Sequence, residues 1–259
     1  MTELSIVIPA LNEAGNIGRL IEETFTHVPR TLLLGVIVVD DGSTDETGAE
    51  IEALMGRFPS LRYLRHARPC GQSAAMRSGI LAAAGVVIAT MDGDGQNDPR
   101  DISKLVMRLA PHGRRGAALV GGVRTNRQAD GPKRWASRAA NWLRDALLKD
   151  HCPDSGCGIK VYNREAYLLI PFFHGQHRYL PALFLSYGHE VAYAPVHDRQ
   201  RTAGNSKYTN IGRALIGVYD LIGVSWVRKR TVWPDVTERK GGSSQNLTLR
   251  GDFRKSQAR

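Results

Sequence analysis

Hydrophobic and polar residues follow a regular rhythm through the first half of the chain. Short apolar runs rich in β-branched residues are each followed by a polar turn and then by a stretch with helical spacing of apolar residues. The rhythm is typical of βα units on a mostly parallel central sheet and predicts an α/β fold. The expected strands are Leu4–Ile8, Leu33–Val39, Leu61–Leu64, Val86–Met91 and Ala118–Val123, and the expected helices are Asn16–His27, Thr44–Arg57, Gly71–Ala84 and Pro99–Leu109.

The pattern changes after about residue 133. It predicts a basic amphipathic helix at Lys133–Leu148 and a short strand at Ile159–Tyr162, followed by further helix and strand pieces. Asn210–Val227 is rich in apolar residues, but its uninterrupted apolar runs fall far short of the roughly 20 residues that span a bilayer. We expect a packed or surface-lying helix there. The predicted domain covers residues 1–227, and residues 228–259 are expected to form a basic, disordered tail.

Composition and charge narrow the class of protein. The apolar fraction of 42% and the charged fraction of 23% are ordinary for a globular domain. Of the net charge of +10, the tail carries nine Lys and Arg residues against three acidic residues. The smaller remaining excess suits anionic small molecules or a membrane surface, and no motif for nucleic acid accompanies it. Three cysteines without metal spacing favour a reducing cytosol, and the run from Met1 into a strand pattern predicts no signal peptide.

Two acidic motifs follow predicted strands. The segment Met91-Asp92-Gly93-Asp94-Gly95-Gln96 comes at the end of an apolar run, where ligands of open α/β sheets bind. Its carboxylate and amide oxygens are hard ligands suited to Mg²⁺ or Mn²⁺, whereas the alternative is a solvated acidic turn. The segment Val38–Asp45 also follows a strand. Asp41 is its functional candidate. Ser43, Thr44 and Asp45 are expected to be structural, in a strand-to-helix turn with an Asp or Ser cap, and Glu46 and Thr47 are further capping candidates for the next helix.

Five motifs in order resemble the family 2 glycosyltransferases, and within them the dolichol- or polyprenyl-phosphate sugar synthases. Together they span about residues 4–227. They are Ser5-Ile-Val-Ile-Pro-Ala-Leu-Asn-Glu13, Val39-Asp-Asp-Gly-Ser43, Asp92-Gly-Asp94 with Gln96, Gly122-Val-Arg124 with Asp154-Ser-Gly156, and Asp198-Arg-Gln-Arg-Thr-Ala-Gly-Asn-Ser-Lys207.

The resemblance implies a GT-A fold and a role for each matching residue. Asp92, Asp94 and Gln96 would bind the divalent metal, and Gly93, between the two carboxylates, would belong to the same binding site. The nucleotide pocket would be lined by Pro9, Leu11, Glu13, Val39 and Asp41, and the phosphates of donor or acceptor would meet Arg124, Arg201 and Lys207. Asp94, Asp154 and Arg201 are the expected catalytic residues, Asp154 as an orienting group or weak base. Leu11 departs from the aromatic residue often found at its position, so the identity of the base stays open.

The implied reaction is the inverting, metal-dependent transfer of a hexose, mannose or glucose, from a GDP- or UDP-sugar to a polyprenyl or dolichyl phosphate. It would occur at the cytosolic membrane face, through peripheral contact or a separate membrane partner. Two alternatives remain: a glycan acceptor, or a catalytically silent nucleotide-sugar-binding protein. Arg199–Tyr208 is expected to close over phosphates, and His177 and Cys157 are expected to be structural. Trp226 and Trp233 would either face a membrane, beside Arg228, Lys229 and Arg230, or pack in the core.

Overall fold

A seven-stranded mixed sheet forms the centre of the protein. The computed structural model describes residues 3–110, 116–125, 144–199, 210–232, 235–240 and 243–248. In chain order the strands are β1 (Leu4–Ala10), β2 (Leu33–Asp40), β3 (Leu61–Arg65), β4 (Val87–Thr90), β5 (Ala117–Arg124), β6 (Lys160–Asn163) and β7 (Glu190–Val196). Their order across the sheet is β3-β2-β1-β4-β6-β5-β7. Strands β1 to β4 are parallel, and β6 runs antiparallel to both β4 and β5.

Helices cover both faces of this sheet. They are α1 (Ile17–His27), α2 (Thr47–Met55), α3 (Gln72–Ala82), α4 (Asp101–Arg108), α5 (Arg164–Leu169), α6 (Leu180–Ser186) and α7 (Asn210–Arg230), with a 3₁₀ turn at Gln176–Arg178. Neighbouring residues of β1 enter opposite cores: Ile6 and Ile8 belong to one buried apolar cluster, and Val7 belongs to the other. A strand buried on both faces explains why the β1 segment is apolar almost throughout.

The predicted βα elements of the first half are confirmed, with ends that differ by up to three residues. The expected structural role of Asp45 before α2 is confirmed, because its carboxylate accepts a hydrogen bond from the N–H of Thr47, the first residue of the helix. Ser43 does not cap α2, since its hydroxyl accepts from the backbone N–H of Asn12. Of the predicted helix at Lys133–Leu148, residues 144–148 are described and are helical.

The C-terminal region differs from the disorder expected of residues 228–259. Helix α7 continues to Arg230, and β8 (Asp235–Lys240) pairs with β9 (Ser243–Thr248) as an antiparallel hairpin. The Gly-Gly pair between the two strands is a sequence signal for a hairpin that composition alone conceals. Residues 249–259 lie outside the described part of the chain. Among the described helices, none combines the length and apolar character that crossing a membrane requires.

Candidate active site

A pair of carboxylates follows β4. The Asp92 Oδ1 atom accepts a hydrogen bond from Gln72 Nε2 at 2.7 Å, and the Asp92 N–H donates to Asn97 Oδ1 at 3.0 Å. On its other side Asp92 packs against Gly158, where an added Cβ would lie only 2.2 Å from Asp92 Oδ2. Contacts from three segments therefore fix the position of this carboxylate.

The electrostatic surroundings of Asp92 combine both signs of charge. Burial, and then the negative charge of Asp94, raise the pKa of Asp92 to about 6, while the positive charges of Lys160 and Arg124 oppose that rise. Lys160 is buried, and its Nζ donates to the carbonyl oxygen of Cys157. Sequence analysis did not select Lys160, because a single lysine at the start of an apolar strand carries no motif.

The donor set around Asp92 fits a divalent cation. Asp92 and Asp94 offer hard carboxylate oxygens, and Asp94 is partly exposed. The Asp94 Oδ1 atom accepts from the N–H of Gln96 at 3.1 Å, which holds the turn together. Gly93 lies against the end of β1, where a Cβ would be 3.0 Å from the carbonyl oxygen of Pro9. The residues present therefore suit Mg²⁺ or Mn²⁺, since these ions prefer oxygen ligands.

Asp41 lies at the end of β2 and is buried. Its Oδ1 atom contacts His66 Nδ1 at 2.7 Å and accepts from the N–H of Cys70 at 2.8 Å, and its Oδ2 accepts from the N–H of Gly71 at 2.7 Å. Because a carboxylate only accepts, His66 Nδ1 is the donor, and its Nε2 lies 2.9 Å from the Ser78 hydroxyl. His66 is a second residue that sequence analysis missed, since an isolated histidine has no recognisable spacing.

The remaining residues of the expected nucleotide pocket have unequal positions. Leu11 and Glu13 follow β1 and are partly exposed, whereas Pro9 is buried within the strand. Val39 is fully buried in the apolar cluster that includes Val7 and α3. Its side chain therefore packs in the core, and its expected contact with the nucleotide stays a prediction.

Arg124 and Asp154 form an ion pair at the end of β5. Arg124 Nε lies 2.7 Å from Asp154 Oδ2, and Arg124 Nη2 lies 2.9 Å from Asp154 Oδ1. The hydrogen bond to Asp154 is the largest influence on Arg124, and it raises the pKa of the guanidinium above its usual value. The structure thus brings Arg124, an expected phosphate ligand, and Asp154, an expected orienting group or weak base, into one fork-like pair.

The segment before residue 200 is attached to the acidic turn. Arg199 Nη2 lies 2.9 Å from Asp98 Oδ1, and the Arg199 N–H donates to the carbonyl oxygen of Gln96 at 3.0 Å. Arg199 also pairs with Glu23. These contacts do not agree with the expectation that Arg199 stays mobile until a phosphate binds. Arg201 and Lys207, with the rest of the segment to Tyr208, lie outside the described residues, so their expected roles stay predictions.

Three further expectations concern single side chains. His177 Nδ1 lies 2.7 Å from the Ser73 hydroxyl, as expected of a structural histidine. Burial raises the pKa of the Cys157 thiol to about 11, which agrees with a structural thiol. Trp226 is exposed, so it does not pack in the core, and Trp233 lies outside the described residues.

Comparison with known proteins agrees with the geometry. A mixed sheet with a carboxylate pair after its fourth strand has the GT-A glycosyltransferase architecture. Crystal structures of glucosyl-3-phosphoglycerate synthase from Mycobacterium tuberculosis share this fold. Its complex with Mg²⁺ and uridine diphosphate superposes with a TM-score of 0.66 at 19% identity over 95% of this chain and 87% of that chain. The profile of glycosyl transferase family 2 matches residues 5–169, and the chain belongs to that family.

Curated relatives are more similar in sequence. Dodecaprenyl-phosphate galacturonate synthase from Rhizobium johnstonii is 35% identical over 240 residues, which cover 90% of this chain and 69% of the relative. Undecaprenyl-phosphate 4-deoxy-4-formamido-L-arabinose transferase from Yersinia pestis is 31% identical over 223 residues, which cover 85% and 66%. The chain thus spans about two thirds of the length of these relatives.

Proposed function

We propose that this protein transfers a sugar from a uridine-diphosphate sugar to a polyprenyl phosphate. The observation that carries the proposal is the carboxylate pair Asp92 and Asp94 beside the cations Lys160 and Arg124, in a chain similar to two polyprenyl-phosphate sugar transferases. The site combines acidic groups for a metal with basic groups for phosphates. Both are needed when a diphosphate leaves and another phosphate attacks.

Asp92, Asp94 and Gln96 are the proposed ligands of Mg²⁺ or Mn²⁺. The cation, when bound, supplies positive charge to the departing diphosphate. Gln72 and Asn97 hold Asp92 in place, so the carboxylates need little reorganisation during the reaction. A phosphate monoester has a second pKa of about 6 and is mostly dianionic at neutral pH, so it attacks without a strong base. Asp154, already paired with Arg124, then orients that cation towards the acceptor.

The hydrogen bonds of Asp41 favour uracil over guanine. Guanine uses two N–H groups to bind both oxygens of a carboxylate, whereas uracil uses one. Asp41 Oδ1 already meets two donors, and Oδ2 meets one, which leaves room for a single further donor. Solved structures of the same fold also contain uridine diphosphate. We therefore propose a UDP-sugar rather than a GDP-sugar.

The transferred sugar and the location are also part of the proposal. The two relatives are named for galacturonate and for 4-deoxy-4-formamido-L-arabinose, so an acidic or modified sugar is a better candidate than mannose or glucose. A polyprenyl phosphate acceptor requires contact with a membrane, and we propose that the protein is peripheral at the cytosolic face. A glycan acceptor and a catalytically silent binding protein remain the alternatives.

Transfer of a labelled sugar tests this function directly. Purified protein is incubated with polyprenyl phosphate in detergent, Mg²⁺ or Mn²⁺, and a panel of labelled UDP- and GDP-sugars. We expect label to enter the organic phase only with a UDP-sugar and a divalent cation. Label incorporated into a water-soluble glycan would favour the glycan acceptor, and donor binding without transfer would favour the silent protein.

Calorimetry with free nucleotides tests the choice of base without an acceptor. We expect UDP to bind at least about tenfold more tightly than GDP, the usual value of one good hydrogen bond in a buried site. His66→Ala removes one donor from Asp41 Oδ1 and should reduce the difference in affinity between UDP and GDP. Ser78→Ala is the matched control, because it removes the outer contact of His66 and leaves the histidine bound to Asp41. Equal affinity for both nucleotides would contradict the assignment.

A further inference from the structure

Helix α7 has one face fixed to the domain. Leu221, Val224 and Ser225 are buried, and the two apolar side chains belong to the same core cluster as α6. The Tyr179 hydroxyl donates to the carbonyl oxygen of Gly217 at 3.0 Å. These contacts set the rotation of the helix about its axis, so the residues on its other side face outward.

The outward face of α7 carries large apolar side chains. Val218, Tyr219, Ile222 and Trp226 are 49%, 80%, 62% and 61% exposed. Their spacing of three, four and seven residues places them on one stripe of the helix. Single exposed apolar residues are ordinary, but a row of four on one helix marks an interaction surface. We call this row the α7 stripe.

Basic residues extend the α7 stripe at its C-terminal end. Lys229 and Arg230 follow Trp226 at spacings of three and four residues, and both are exposed. The sequence of the helix contains one acidic residue, Asp220, whose carboxylate lies against Gly175, where a Cβ would be 2.8 Å from Asp220 Oδ2. The stripe therefore combines apolar surface with positive charge.

We propose that the α7 stripe binds the protein to a lipid surface with anionic headgroups. An amphipathic helix with aromatic and aliphatic residues beside Lys and Arg lies in the plane of such an interface. The charges favour this occupant over a second copy, because the stripe of a second copy has no acidic residue to pair with Lys229 and Arg230. This inference rests on the proposed function, since a polyprenyl phosphate acceptor would be embedded in the same surface.

The α7 stripe is linked to the carboxylate pair by packed segments. Asp220 lies against Gly175, which precedes the turn containing His177. His177 contacts Ser73, the neighbour of the Gln72 that holds Asp92. A lipid surface bound at the stripe would therefore hold the active site in a fixed orientation to the bilayer.

Vesicle binding with one substituted residue tests the proposal. The probes are vesicles of equal parts phosphatidylcholine and phosphatidylglycerol, and vesicles of phosphatidylcholine alone. Ile222→Asp places a charge in the middle of the stripe, and we expect binding to the anionic vesicles to fall about tenfold or more. Met107→Asp is the matched control, because Met107 is 79% exposed on α4, outside the stripe. It should bind vesicles as the unaltered protein does.

Further readouts separate this inference from the proposed function. Binding of UDP and transfer to polyprenyl phosphate in detergent should be unchanged in Ile222→Asp, while transfer to acceptor embedded in vesicles falls. The double substitution Lys229→Glu and Arg230→Glu should reduce binding to anionic vesicles more than to neutral ones. Unchanged vesicle binding by Ile222→Asp would overturn the inference, as would a change from dimer to monomer without any loss of vesicle binding. Absence of transfer in detergent by the unaltered protein would instead contradict the proposed function.

Discussion

The parallel half of the sheet, β1 to β4, and the mixed half, β5 to β7, bring opposite charges to the active site. The parallel half supplies Asp41, Asp92 and Asp94, each after a strand or in the turn that follows it. The mixed half supplies Arg124 at the end of β5 and Lys160 at the start of β6. Because β6 runs antiparallel to β4, its first residue lies beside the last residue of β4, where Thr90 pairs with Lys160. The reversed direction of β6 thus puts the cation Lys160 next to the carboxylates.

The largest expected effect comes from removing one carboxylate of the parallel half. Asp94→Asn should lower kcat about 1,000-fold, equivalent to about 4 kcal/mol, since the proposed metal site would lose a charged ligand. The melting temperature should be unchanged, because Asp94 is partly exposed. Steady-state kinetics with UDP-sugar and excess Mg²⁺ measure this effect. Glu46→Gln is the control, because Glu46 is an exposed acid before α2. An equal loss of kcat in that variant would mean that the effect comes from the change in net charge and not from the position of Asp94.

The second prediction concerns the contact between Gly158 of the mixed half and Asp92 of the parallel half, which we call the seam. Gly158→Ala puts a methyl group 2.2 Å from Asp92 Oδ2 and 2.8 Å from Asn97 Oδ1, so the carboxylate must move. A displacement of this size should cost about 100-fold in kcat. Gly56→Ala is the control, because a Cβ at Gly56 meets no atom within 4 Å. If both variants lose the same activity, the seam does not position Asp92.

The third prediction weakens the support of Asp92 without adding bulk. Gln72→Ala removes the 2.7 Å hydrogen bond to Asp92 Oδ1 and should reduce the affinity for Mn²⁺ about tenfold, as expected for a residue that orients a metal ligand. Titration of Mn²⁺ followed by electron paramagnetic resonance measures this affinity. Unchanged Mn²⁺ affinity in Gln72→Ala would show that Asn97 and Gly158 suffice.

The smallest predicted effect is on stability, at the contact that joins Asp98 of the parallel half to Arg199 of the mixed half. Burial opposes ionisation of Asp98, but hydrogen bonds from Arg100 and Arg199 hold the pKa of this carboxyl well below its usual range. A lowered pKa stabilises the folded state above the unfolded pKa of about 4, and the contribution is lost as the pH falls below it.

Asp98→Asn should therefore lower the free energy of unfolding by about 1 kcal/mol at pH 7, a modest value because Arg100 is solvent-exposed. The difference from the unaltered protein should shrink as the pH is lowered towards 3. Denaturant unfolding at several pH values measures it. A difference that is independent of pH would mean that Asp98 acts through packing and not through its charge.

The two halves also differ in how far sequence predicts them. The βα rhythm predicts β1 to β4 well, because a strand buried on both faces and an amphipathic helix leave distinct patterns. Lys160 and His66 were missed because their partners lie 68 and 25 residues away in sequence, counted from Lys160 to Asp92 and from His66 to Asp41. The burial of Val39 in the core was equally hidden, because an apolar run does not show which neighbours each side chain contacts. Motifs therefore predict candidate site residues such as Asp92 and Asp41, but their contacts with Lys160 and His66 are visible only in the folded structure.

The position of β6 has a consequence for the synthesis of the chain. Strand β4 pairs with β1 on one side and with β6 on the other, and β6 is made long after β4 has left the ribosome. Until then β4 has an open edge of four buried residues, and unpaired strand edges invite association between chains. A fragment ending near residue 110 should therefore aggregate during expression. We therefore expect the two halves to fold as one unit, and separately produced pieces to remain soluble only if that edge is protected.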